Sequence, residues 1–60
     1  MKWSELRKIA ENNGWYLARH GANHDVYKHN EKKFPIFICR HKSEEIKTGT
    51  FHDLKKQIGF

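Results

Sequence analysis

The sequence predicts an α+β fold, with one helix at each end of three antiparallel strands, and three observations carry that prediction. Leu6, Ile9 and Ala10 recur at helical spacing. Three short apolar or aromatic runs follow, separated by clusters of turn-forming residues. A second helical stripe, Phe51, Leu54 and Ile58, comes last.

Taken in order, Ser4 is the predicted N-cap of a first helix over residues 4–13, its hydroxyl accepting from the first unpaired backbone N–H groups. Glu5, Arg7, Lys8 and Glu11 make its wet side. Asn13-Gly14 ends it, glycine adopting the left-handed conformation that helix ends favour. Residues 15–20 read as a first strand, Gly21-Ala22-Asn23 as a turn and residues 24–29 as a second strand. Alternation puts His24, Val26 and Lys28 on one face and Asp25, Tyr27 and His29 on the other; if Val26 faces the core, His24 sits at the strand's edge, where the sheet opens to solvent. Asn30 to Lys33 turns the chain into a third strand over 34–40, with Pro35 tolerable only near its start or on an edge. Ile36, Phe37 and Ile38 are apolar on both faces, so alternation does not say which face carries the helices. That two-sided strand also suggests that a second chain covers one face. Trp3, Trp15, Phe34, Phe37, Phe51 and Phe60 are read mainly as packing. Thr50 is the predicted N-cap of a helix over 50–58, with Asp53 as the short-armed form of a capping box and Gly59 as the stop. Two helices on one face of a three-stranded antiparallel sheet is the plan of double-stranded RNA-binding domains.

Sixty residues set the expectation of a single domain, 1–60, small enough to bury only about 60% of its unfolded surface. Cys39 is the only cysteine, which rules out an intramolecular disulfide and leaves a partner protein as the expected extra source of stability. No apolar run approaches the roughly 20 residues of a membrane span, and no signal-peptide pattern precedes the first helix, so the cytoplasm is the expected compartment. A formal charge of +5 favours an anionic partner. Its basic residues lie along the strands (Arg19, Lys28, Arg40) and in the turns rather than in one tail, which suits a folded basic face.

Within that frame His24 stands out, at the start of the middle strand and near Arg19, Lys28 and His29. Histidine alone changes charge near neutrality without a perturbed environment. On residue type alone, His24 is more often a polar side chain on a half-exposed strand than a proton shuttle. Cys39-x-His41 with His29 and His52 lacks the spacing of structural zinc sites, so no metal or other cofactor is expected. His41 is a weaker candidate for a second proton-transfer group.

Several pieces of the chain together resemble the HicA family. They are Ser4-Glu5-Leu6, Asn13-Gly14-Trp15 through Arg19, the His24 turn through Tyr27-Lys28-His29, Arg40-His41-Lys42, Glu45-Ile46-Lys47, Gly49-Thr50, and Leu54 through Gly59. Each piece is weak alone; their joint order and spacing is specific. The family is that of the toxins of HicA–HicB toxin–antitoxin pairs, which are mRNA interferases. Ala22 and Asn23 stand where the family tends to have Gly and Ser before the histidine, Asp25 where a second histidine is common, and Cys39 where proline is frequent.

The resemblance implies a metal-independent endoribonuclease with His24 as its catalytic acid/base, mRNA as substrate and a HicB-type antitoxin as partner. No direct DNA binding is expected from this chain alone. Arg19 and Lys28 are the expected RNA backbone contacts, Asn23 substitutes for the missing serine, and Tyr27 or Tyr16 is expected to stack on a base. Two alternatives of other classes stand beside this reading. One is a non-catalytic RNA-binding module of the same fold, and the other a protein-interaction domain for an acidic surface.

Overall fold

The computed structural model describes residues 1–40 and 43–60, so the expectations on His41 lie outside the described residues. Its element order is α1 (Trp3–Asn12), β1 (Tyr16–His20), β2 (His24–Lys28), β3 (Ile36–Cys39) and α2 (Thr48–Ile58). The three strands form one antiparallel sheet in the order β1-β2-β3, which makes β2 the central strand. The predicted α-β-β-β-α arrangement is the one observed.

Both helix starts differ from the capping prediction. The first helix begins after Lys2, whose side chain makes no cap bond, and Ser4 lies inside it. A tertiary contact replaces the cap: Lys2 pairs with Glu45 in an isolated β-bridge, and Trp3 N–H donates to Glu44 O at 3.2 Å. The second helix begins after Lys47, so Thr50 and Asp53 lie within it and form no capping box. At the other end of α1, Gly14 takes φ +91°, while Gly14 N–H donates to Glu11 O and Trp15 N–H to Ala10 O. That pair of bonds closes the helix as a Schellman motif.

The core lies between the helices and one face of the sheet. Leu6 and Ala10 of α1, Leu54 and Ile58 of α2, and Ile46 meet Trp15, Tyr27, Ile36 and Ile38. Trp15 also donates its indole N–H to Ile58 O at 3.4 Å, tying the end of α2 to the start of the sheet. The face of β2 that carries Asp25 and Tyr27 is therefore the covered one, which decides the orientation that alternation left open, and Val26, itself buried, lies on the opposite face. Phe34 and Phe37, expected to pack, are exposed; Trp3, Phe51 and Phe60 do pack against the core.

Candidate active site

His24 opens β2 on the uncovered face of the sheet, and its imidazole hydrogen-bonds to no described residue. Two hollows meet there. One, of about 300 Å³, is lined by Arg19, Gly21, Ala22, Asn23, His24, Val26 and Phe37. The other runs toward α2, lined by Thr50, Asp53, Leu54 and Gln57 with Trp3 of α1, and His24 and Phe37 are the residues common to both. Of the predicted site residues, the structure thus brings Arg19, Asn23 and His24 together.

Lys28 shares their face but sits at the far end of β2, about 13 Å along the strand at about 3.3 Å per residue. Tyr27 does not join the site. It is 2% exposed beneath α1, with Arg7 5.8 Å over its ring, so it has no face to offer a base. Burial pushes its phenol pKa upward, as expected of a neutral core tyrosine. Tyr16, at the start of β1, keeps its ring exposed. His29 is also structural: its Nδ1 accepts from Glu31 N–H at 3.0 Å, which leaves Nε2 to donate to Asn13 O at 2.9 Å.

Arg19 reaches the site through a register shift. Leu17 pairs with Tyr27, yet Arg19 pairs with Val26 and His20 with Asp25, so the strand accommodates Ala18 as an extra residue. Strict alternation would place Arg19 on the same face as Leu17. The shift instead puts Arg19 on the open face and His20 on the covered one.

The turn itself is held from beneath. Asp25, 2% exposed, accepts from Arg40 Nε at 2.8 Å, from His20 Nδ1 at 2.7 Å and from Arg7 Nη2 at 3.1 Å. The Arg40 and His20 bonds outweigh the opposing effect of desolvation and hold the carboxyl at about 2. Arg40 also donates through Nη2 to Gly21 O, joining the end of β3 to the turn before His24. The sequence reading treated Arg40 as a surface cation, put Arg7 on the wet side of the first helix, where the structure instead half-buries it against Asp25, and gave His20 no role. Alternation places Asp25 on the Tyr27 side, and only once that side is known to be covered does its carboxylate call for cationic partners.

Gly21 N–H donates to His24 O at 2.7 Å, and a Cβ at Gly21 would lie 2.7 Å from that same oxygen. The turn must therefore move if any side chain is added. Gly21→Ala is expected to shift the turn that carries His24 and to lower the melting temperature, because the added Cβ must displace backbone. Comparison of its melting temperature with that of the unaltered chain checks this.

The family described as HicA toxin of bacterial toxin–antitoxin systems matches residues 3–60. The chain belongs to the HicA toxin family. A comparison with curated proteins gives no match. Membership in the HicA family makes this chain the toxin side of a toxin–antitoxin pair, so an antitoxin is its natural partner. Among the described residues no helix is long and apolar enough to cross a membrane.

Proposed function

We propose that this HicA-family toxin is a metal-independent endoribonuclease that cleaves mRNA in the cytoplasm, with His24 as its acid/base. The observation that carries the reading is an exposed imidazole, without a hydrogen-bond partner among the described residues, in a hollow it shares with Arg19 and the Asn23 amide. RNA contains its own nucleophile, so a positioned proton-transfer group and cations suffice for its cleavage. The ribose 2′-oxygen loses its proton and bonds to the adjacent phosphorus. The bond from phosphorus to the 5′-oxygen breaks, and that oxygen takes up a proton. The products are a 2′,3′-cyclic phosphate and a 5′-hydroxyl. His24 transfers a proton in this sequence, Arg19 stabilises the charge on the phosphorane, and Asn23 donates to a phosphate oxygen. Lys28 holds the strand further along the sheet.

A HicB-type antitoxin would silence the enzyme by covering His24, and its binding would add stability by mass action. The deciding experiment is cleavage of a labelled mRNA in EDTA by the purified chain, with His24→Ala alongside. Cutting that vanishes only in the variant supports the proposal. RNA binding by both without cutting by either supports the non-catalytic module instead, and equal cutting by both removes His24 from the mechanism.

A further inference from the structure

We propose that the open face of the sheet is a stacking platform for single-stranded RNA, in which Phe37 and Tyr16 hold bases while Arg19 and Lys28 hold phosphates beside His24. The inference rests on the ribonuclease reading and names its substrate class. Strand register sets the layout. Arg19 pairs with Val26 and Val26 with Phe37, forming one row across the sheet; Tyr16 pairs with Lys28 in the next, and His24 with Cys39 on the other side. Neighbouring strands lie about 4.8 Å apart, so Arg19 and Phe37 flank Val26 at a separation of about 10 Å. Phe37 is 54% exposed and Tyr16 47%, and none of these outward residues is acidic.

Exposed rings interleaved with cations match the needs of an unpaired strand, whose bases offer π-faces and whose phosphates offer charge. A duplex keeps its bases stacked internally and is read through its backbone and 2′-hydroxyls, which gives exposed rings no function. Lys28, beside Tyr16 on this face, also argues against a protein as the primary occupant, because lysine is depleted at protein interfaces. Because Phe37 and His24 line the same two hollows, the base on Phe37 belongs to a nucleotide next to the bond that is cut.

The test measures binding of a short unstructured RNA, and of the same sequence as a duplex, to the His24→Ala protein at low salt, where phosphate contacts are strongest. Binding is read there without cutting, so a failed platform and a failed ribonuclease give different results. The single strand should bind at least fivefold more tightly than the duplex. Phe37→Ala should weaken single-strand binding by about 5–150-fold with no loss of melting temperature, Tyr16→Ala should weaken it in the same direction, and Phe37→Tyr should restore it. A duplex bound as tightly as the single strand overturns the proposal. So does unchanged binding in both alanine variants, and if those variants lose only antitoxin binding, the face is a protein interface.

Discussion

His24→Ala should cleave RNA at least about a hundredfold more slowly than the unaltered chain while melting at the same temperature. A positioned proton-transfer group contributes about 10²–10⁴-fold, and the lower bound applies if Arg19 and Asn23 still hold the phosphate. Stability should change by no more than about 0.5 kcal/mol, because the imidazole is exposed and hydrogen-bonds to no described residue. His24→Gln should be as slow as alanine, since an amide keeps the polarity and loses the titration. A loss below tenfold in either variant would mean that another group moves the proton.

Asp25→Ala should lower the melting temperature by roughly 12–24 °C. Removing one partner from a buried ionic cluster costs about 3–5 kcal/mol, and a domain of this size loses roughly 4–8 °C per kcal/mol. The lower energy is the better guide here, because His20 and Arg40 are largely solvated. Even so, it is comparable with the whole stability of a small domain, at about 0.05–0.15 kcal/mol per residue. Arg7 would suffer most: its Nε is already buried without a partner among the described residues, and the variant removes the acceptor of its Nη2.

The same cluster predicts acid sensitivity. Asp25 titrates at about 2 in the fold against 3.8 in its absence, so its contribution is complete above about pH 4 and is lost as pH falls toward 2. Asp25→Asn should be less stable at neutral pH and should lack that particular decline. Thermal melts between pH 2 and 7 check both statements. A variant that melts within 2 °C of the unaltered chain at pH 7 would show that desolvation cancels the attraction.

Element order and type were legible because they rest on local periodicity and on glycines at helix ends, as at Gly14 and Gly59. The helix starts were not, because the backbone bond from Trp3 to Glu44 joins residues far apart in the chain and does the work that Ser4 was expected to do. Val26 and Tyr27 present a similar case. Both are apolar enough for a core, and only the helices packed above decide that Tyr27 is inside. Of the candidate site, His24 beside Arg19 was visible in the sequence, but the family resemblance, not residue type, singled them out together with Asn23. Phe37 was taken for packing because its neighbours Ile36 and Ile38 are core residues and all three are apolar. Arg7 and Arg40 were passed over because ion pairing across elements leaves no trace in local spacing.

The extra residue at Ala18 has a consequence for how this chain tolerates changes of length. Deleting Ala18 leaves Leu17, Arg19 and His20 opposite the same partners, because the strand would simply regain regular pairing. Inserting a residue between Arg19 and His20 would have to push one of them to the wrong side, separating either the Arg19 guanidinium or the Asp25-binding imidazole from its place. Relatives that gain or lose a residue in this strand should therefore do so at one position, and an alignment gap there would be neutral where a gap two residues later would be lethal to the site.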